Sequence, residues 1–286
     1  MTDIDVLVVG AGVTGLASAI SIARRGLAAC VLEAHPRPGM ETSTHNSGVI
    51  HAGLYHPPGS LKAKLCLEGR DRLYAFCEQH GVPYRRTGKL VIADDRAREA
   101  ELAALAANAR ANGARVELMT AAEIRAREPR VHAELALWSP DTGIVDASQL
   151  VVTLAALARA AGAVLLTQTA FATAAADGDG FVADTGREQI RASVMVNAAG
   201  LYADDVSRLV GGETFRIWAC RGDYAELTGA AAARVTMPIY PMPEKSGHGL
   251  GVHITPTTGG TVLLGPTSRY QESKTDYESG RPPLEA

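Results

Sequence analysis

Hydrophobic positions change period at marked points along this chain, and those changes predict its elements. Residues 4–9 form a short, β-branched apolar run and read as a buried strand. The run leads into Gly10-Ala11-Gly12-Val13-Thr14-Gly15. After it Leu16, Ala19, Ile20 and Ala23 recur at helical spacing as far as Arg24-Arg25-Gly26. A second apolar run, 28–32, predicts a strand that ends on Glu33. Ser60 caps a helix through Leu61, Leu65, Leu73, Phe76 and Cys77 that stops at Gly81. Residues 89–93 read as a strand, and 95–112 as an Ala-rich helix ended by Gly113. Thr120 and Glu123 form a capping box for a short helix that ends before Pro129. A strand at 135–138 and a turn at 139–143 precede a helix over 147–161, capped by Asp146 and stopped by Gly162.

Beyond Gly162 the pattern turns mostly to period two. Strands are predicted at 163–174, 181–184 and 189–197, with Asp177-Gly178-Asp179-Gly180 as a hairpin turn. A helix through Val206, Leu209 and Val210 follows Asn197-Ala198-Ala199-Gly200. Strands are predicted again at 215–227, 252–255 and 261–264, and the polar, proline-bearing tail 267–286 reads as disordered. The stretch 37–59 is dense in Pro, Gly, Ser, Thr, His and Asn. A loop of that length in a compact domain tends to carry function.

Strand, glycine turn, helix, strand and acid make up the dinucleotide-binding βαβ fingerprint. Gly10 permits the tight turn, Gly12 lets the backbone approach a pyrophosphate, and Gly15 lets helix pack on strand. The helix start at Val13-Thr14 offers N–H groups and a positive dipole end to phosphates. Glu33 is placed to accept from the adenosine ribose. Ala34 and His35 follow it with no Arg, which disfavours a 2′-phosphate and leaves FAD or NAD.

The chain has 286 residues, enough for two domains. It is 47% hydrophobic and 21% charged, an ordinary globular balance. A net charge of −3 with no basic block excludes nucleic acid as an expected partner. Cys30, Cys66, Cys77 and Cys220 show no metal or redox spacing and read as reduced structural thiols, with no metal site expected. The chain enters its first strand by Ile4 with no leader pattern, and no apolar stretch has spanning length. A cytoplasmic protein is expected, compatible with loose attachment to a membrane face.

The Gly10–Glu33 unit, His45-Asn46-Ser47-Gly48-Val49-Ile50-His51-Ala52-Gly53 and Asn197-Ala-Ala-Gly200 together resemble the FAD-dependent oxidoreductases of the D-amino-acid oxidase superfamily. Pro58-Gly-Ser-Leu-Lys-Ala-Lys64, Thr87-Gly-Lys-Leu90, and Gly249-Leu-Gly-Val-His-Ile-Thr-Pro256 followed by Leu263-Leu-Gly-Pro266 resemble one branch, the L-2-hydroxyglutarate dehydrogenases and oxidases. The resemblance implies an α/β fold: a Rossmann-like FAD domain with a βαβ-led parallel sheet, and a second, mainly antiparallel α+β substrate domain. The FAD domain is expected at 1–88 and 143–214, and the substrate domain at 89–142 and 215–286. Members of that branch continue well past the Leu-Leu-Gly-Pro strand. A C-terminally short product is therefore expected, with a non-catalytic remnant as one alternative and an amine or amino-acid oxidase as the other.

The implied reaction oxidises a 2-hydroxy acid, L-2-hydroxyglutarate, to its 2-oxo acid by hydride transfer to FAD, with oxygen or a quinone taking the electrons. Ser43, Thr44, Asn46, Ser47 and Gly48 are expected along the cofactor, Phe171 near the adenine, and Ala199-Gly200 close by. A histidine has the natural pKa for the base that takes the hydroxyl proton. His51, directly after the flavin stretch, is the first candidate and His253 the second. Arg221, in Cys220-Arg-Gly-Asp-Tyr224, is the first candidate for a substrate carboxylate, with Tyr55, Lys62 and Lys64 behind it.

Overall fold

Ile4–Val9 forms the strand that its apolar run predicts, with Val6 to Val9 all buried. The computed structural model describes residues 4–243 and 251–278, which form two compact units. The first unit comprises Met1–Asn46, Ala147–Ala219 and Tyr270–Tyr277. Its sheet has six strands in the spatial order Thr173–Asp177, Gly180–Asp184, Gln189–Asn197, Ile4–Val9, Ala29–Leu32 and Val164–Leu166. The last four run parallel, and the first three form an antiparallel meander. The helix Val13–Ala23 turns Gly15, Leu16, Ala19 and Ile20 inward. It packs beside Ala147–Ala160, whose buried face is Val151, Leu154, Ala155 and Ala158. Leu7, Cys30, Leu32, Ala183, Ile190 and Ala192 form one core cluster of this unit. Full burial of a side chain such as Leu7 contributes about 1.5–3 kcal/mol.

The second unit comprises Ser47–Asp146, Cys220–Arg269 and Glu278–Ala286. Its main sheet has seven strands in the spatial order Ala225–Leu227, Val262–Gly265, His253–Pro256, Ile239–Pro241, Lys89–Ala93, Leu135–Ser139 and Glu117–Thr120. All its neighbours are antiparallel except Ile239–Pro241 beside Lys89–Ala93. The helix Glu99–Ala111 packs Leu102, Ala106 and Ala109 into a core with Val91, Ala93, Leu137 and Tyr240. From that helix and its C-cap, the Asn108 and Asn112 side-chain amides donate to the carbonyls of Gly53, Leu54 and His56 at 2.8–3.0 Å. The loop 53–56 is therefore pinned to this core. Leu61–His80 starts on a Ser60 cap that accepts from the Ala63 amide at 3.2 Å, and ends at Gly81 with φ +68°. The Thr120–Glu123 capping box forms as the spacing predicts.

Several expectations need correction. The stretch 163–174 is not one strand: Val164–Leu166 ends at a turn where Gln168 takes φ +54°, and Thr173–Asp177 starts afresh. The stretch 215–227 holds only Ala219–Arg221 and Ala225–Leu227, because Asp223 turns back to bond Thr267. The tail read as disordered includes the strand Arg269–Gln271 and an ordered segment to residue 278. Residues 47–88, expected with the dinucleotide half, belong to the second unit. There Val49–Ile50 and Tyr84–Arg85 hydrogen-bond to either edge of Gly143–Val145, and pairing across about 95 residues overrides sequence adjacency. Residues 249–250 of the Gly249–Pro256 motif lie outside the described residues.

Candidate active site

In the first unit three neighbouring strands end together, and the segments that follow them converge. The Gly10 amide donates to the Leu32 carbonyl at 2.8 Å, and the Ala198 amide to the Val9 carbonyl at 2.9 Å. Ligands of open α/β sheets bind in this crevice beyond the carboxyl ends of the strands. Gly10 takes φ +102°, a conformation that side chains disfavour. A Cβ on Gly15 would overlap the Gly10 carbonyl oxygen, and one on Gly12 would lie 2.9 Å from Ser43 Oγ. The glycine turn therefore keeps backbone bare where a pyrophosphate would lie. The helix that follows has Gly12 at its N-cap, which offers no capping side chain. Its first amide, on Val13, donates to Ser43 Oγ at 3.1 Å, and Thr14 is exposed beside it.

The buried Glu33 carboxylate accepts from the Ala11 amide at 3.0 Å and the His35 amide at 2.9 Å. A carboxylate offers about four lone-pair sites, so capacity remains for ribose hydroxyls. Ala34 is exposed next to it. The loop carrying Ser43 is held from several sides. Thr44 Oγ1 donates to the Gly39 carbonyl at 2.6 Å, and the Asn46 amide donates to the Thr42 and Ser43 carbonyls at 3.0 Å. Glu41 accepts from Tyr277 and bonds His35 at 2.8 Å. Ala199 donates to Asn197 Oδ1, and Gly200 opens a short 3-10 turn at φ +57°. Phe171 packs on the Leu7 cluster, and Thr169 in its loop donates to the Glu33 carbonyl at 2.8 Å. Bare glycine backbone, a buried ribose-type acceptor and a helix start with a glycine at its N-cap fit an adenine dinucleotide.

The second unit gathers a different set. His51 follows the strand Val49–Ile50, and its carbonyl accepts from Cys66 Sγ at 3.7 Å. His51 as a residue is solvent-exposed. The protein around it, then the positive charges of Lys89, His56, His253 and Lys62, push its pKa down to about 3, so it stays neutral. Lys89 is fully buried; its Nζ donates to Tyr55 Oη at 3.3 Å and lies 4.7 Å and 4.5 Å from the Tyr55 and Tyr240 ring centroids. Burial lowers its pKa to about 7 and raises that of Tyr55. His253, also buried, stacks on Tyr240 with centroids 3.8 Å apart and planes 13° from parallel. Ser47 bonds the hydroxyls of Tyr224 and Tyr240.

Three residues differ from expectation in setting. Gly48 takes φ +66°, and a Cβ there would overlap the Val145 carbonyl, so its close approach is explained by the strand beside it. Arg221 is buried and ion-paired with Asp223, Nε to Oδ1 at 3.0 Å. Its charge is already balanced within the unit. Lys64 is exposed on the helix Leu61–His80. The sequence reading missed Lys89 and Tyr240. A lysine heading the apolar run Lys-Leu-Val-Ile-Ala was the available signal, since the alternate positions Val91 and Ala93 are both buried. No helix among the described residues is long and apolar enough to cross a membrane.

A βαβ-led sheet with a glycine-turn cradle, together with a second unit built on a mainly antiparallel sheet, defines a two-unit α/β dinucleotide-binding protein. The chain belongs to the FAD-dependent oxidoreductase (DAO) family, whose model matches residues 5–286. It is 36% identical over 280 residues to the mitochondrial L-2-hydroxyglutarate dehydrogenase of Homo sapiens, covering 92% of this chain and 60% of that protein. It is 33% identical over 272 residues to L-2-hydroxyglutarate dehydrogenase of Escherichia coli, covering 92% and 64%. The chain thus spans under two thirds of these relatives' length. The FAD-bound, dithionite-reduced L-α-glycerophosphate oxidase of Mycoplasma pneumoniae superposes with TM-score 0.89 at 26% identity, covering 96% of this chain and 73% of that one. Glycine oxidase of Geobacillus kaustophilus shares the fold, with TM-score 0.81 at 24% identity over 93% and 72%.

Proposed function

We propose that the protein carrying this chain oxidises L-2-hydroxyglutarate to 2-oxoglutarate with FAD as electron acceptor. The observation that carries this reading is the likeness of 92% of the chain to curated L-2-hydroxyglutarate dehydrogenases. His51, directly after the strand Val49–Ile50, offers a candidate base for it. Gly10, Gly12, Val13, Thr14 and Gly15 would hold the pyrophosphate, Glu33 the adenosine ribose with Ala34 alongside, and Phe171 the adenine surroundings. Ser43, Thr44, Asn46, Ser47, Gly48, Ala199 and Gly200 would line the rest. When bound, FAD supplies the two-electron acceptor for the hydride from the substrate α-carbon.

The chain's own residues supply proton handling and charge. His51, unprotonated, takes the C2 hydroxyl proton on an imidazole nitrogen. His253 is the second candidate; stacked on Tyr240, it suits orientation better than proton transfer. Tyr55 and Arg221 are assigned to the substrate carboxylates, with Lys64 as an outer cation. For Arg221 this role requires sharing its guanidinium with Asp223. The test is anaerobic flavin reduction in the purified FAD-loaded protein, comparing L-2-hydroxyglutarate, D-2-hydroxyglutarate, L-lactate and sarcosine. L-2-Hydroxyglutarate should bleach the flavin fastest. Bleaching by sarcosine alone would replace this reading with an amine oxidase.

A further inference from the structure

We infer that the segment 271–277 is a strap for the dinucleotide crevice: Tyr277 holds Glu41 and Lys274 holds Asp204 and Asp205, which makes Tyr277 and Lys274 positioning residues for FAD. The inference rests on the FAD placement above and is independent of the substrate. Both anchors lie within the first unit. The Tyr277 hydroxyl donates to Glu41 Oε2, and its ring centroid lies 5.1 Å from that of His45. Burial, then the Glu41 carboxylate, raises the Tyr277 pKa, so the hydroxyl keeps its proton and remains the donor. Lys274 Nζ pairs with Asp204 Oδ1 at 2.6 Å and Asp205 Oδ2 at 2.8 Å. Asp204, itself buried, also accepts from the Ile217 amide at 2.8 Å.

The segment is braced from within. Gln271 Nε2 donates to the carbonyls of Ser273 and Asp276 at 2.7 Å and 2.8 Å. Ser273 Oγ accepts from the amides of Thr275 and Asp276 at 3.2 Å and 3.0 Å. As one braced turn it joins two stretches of chain that are assigned to the cofactor. The first is the loop carrying Ser43. There the Glu41 carbonyl accepts from the Thr44 and His45 amides at 3.2 Å and 3.3 Å, and the Glu41 carboxylate bonds His35 Nε2 at 2.8 Å. The His35 amide in turn donates to Glu33, which holds the Ala11 amide of the glycine turn. Tyr277 thus connects through Glu41 and His35 to the ribose acceptor. The second stretch is the turn Gly200–Tyr202, which runs straight into the helix Ala203–Leu209 that bears Asp204 and Asp205. Lys274 Nζ also lies 5.7 Å from the Tyr202 ring centroid. The two stretches approach each other, since a Cβ on Gly200 would lie 4.0 Å from Thr42 Oγ1. Neither belongs to a strand, so side-chain contacts of this kind decide how far each is ordered before FAD arrives. A site ordered in advance binds more tightly, because less freedom is lost on binding.

The test removes each anchor alone and both together: Tyr277→Phe, which keeps the ring, Lys274→Met, and the double variant. In the purified protein freed of FAD, hydrogen exchange at the Thr44 and His45 amides should quicken ~10-fold in each single variant. FAD, and ADP as a probe with only the adenosine and diphosphate groups, should each bind ~10-fold more weakly, with the loss in faster dissociation. The double variant should bind no more weakly than the weaker single one, because either loss releases the same strap. Lys274→Arg, which can still pair with both aspartates, should restore tight FAD binding. Glu272→Ala, which removes only the exposed pair with Arg216 from the same segment, should change neither exchange nor FAD binding. Unchanged Thr44 and His45 exchange in Tyr277→Phe would overturn the strap. Faster exchange with FAD and ADP binding unaltered would overturn its link to the cofactor. Additive losses in the double variant would make the anchors two independent contacts and overturn it too. If these shifts appear but L-2-hydroxyglutarate fails to bleach the flavin of the unaltered protein, the substrate assignment falls and the strap stands.

Discussion

Gly15 lies so close to Gly10 that a Cβ on Gly15 would overlap the Gly10 carbonyl oxygen. Helix and strand turn are in backbone contact at the point where the pyrophosphate is assigned. Gly15→Ala should force them apart, costing about 1–3 kcal/mol and the retention of FAD. Flavin content after gel filtration and a thermal melt would check this. Gly69→Ala is the matched control, since a Cβ there meets nothing within 4 Å in a helical setting. It should stabilise by about 1 kcal/mol.

Removing the Glu33 carboxylate leaves the fully buried Ala11 amide without its acceptor. Glu33→Ala should therefore cost about 1–3 kcal/mol of stability. It should also weaken FAD by ~10-fold, the loss of one ribose contact. Fluorescence titration with FAD, next to chemical denaturation, separates the two effects. Full-strength FAD binding by Glu33→Ala would remove the ribose assignment.

His51 should not titrate in the ordinary histidine range. Its folded pKa lies near 3, below the 6.5 of an unfolded histidine. Between these values the unfolded state binds more protons, so stability falls as pH drops from about 6.5 towards 3. His51→Gln should remove that component of acid sensitivity. It should also lower flavin reduction by ~10²–10⁴-fold, the usual contribution of a positioned base. Stopped-flow reduction across pH would show an acid limb well below 6.5 if His51 is the base.

Lys89 carries a linkage of the same sign, displaced to higher pH. Its folded pKa is depressed to about 7 from 10.5, so below about 7 the full cost of burying a charge is present, and it disappears as pH rises towards 10.5. Lys89→Met should be the more stable protein at pH 7, by roughly 4–5 kcal/mol at most given about 1.4 kcal/mol per pKa unit. The gap should close by about pH 10. Urea denaturation of both proteins across that window measures it; a pH-independent gap would mean that Lys89 does not titrate there.

Arg221→Ala should leave Asp223 without its ion-pair partner. The loss is about 1.5–3 kcal/mol, as for a hydrogen bond to a charged group. If Arg221 also meets substrate, the Michaelis constant for the dicarboxylate should rise while that for a monocarboxylic hydroxy acid changes little. Equal changes for both would assign Arg221 to structure alone.

Much of this architecture is local and was legible from residue order. The strand Ile4–Val9, the glycine turn, the helix Val13–Ala23 and the terminal Glu33 are specified by periodicity and turn chemistry within about thirty residues. The Thr120–Glu123 cap and the Gly178-Asp179 hairpin are equally short in range. What required the fold is long in range. Two-residue strands such as Val49–Ile50 carry no detectable period, and they form only because Gly143–Val145 lies beside them. The pairing that moves residues 47–88 into the second unit is invisible for the same reason. The setting of Arg221 depends on Asp223 turning back beside it, and that of Lys89 on burial beneath Tyr55 and Tyr240. Charge state follows desolvation and neighbouring charge, and both are properties of packed space, not of sequence order.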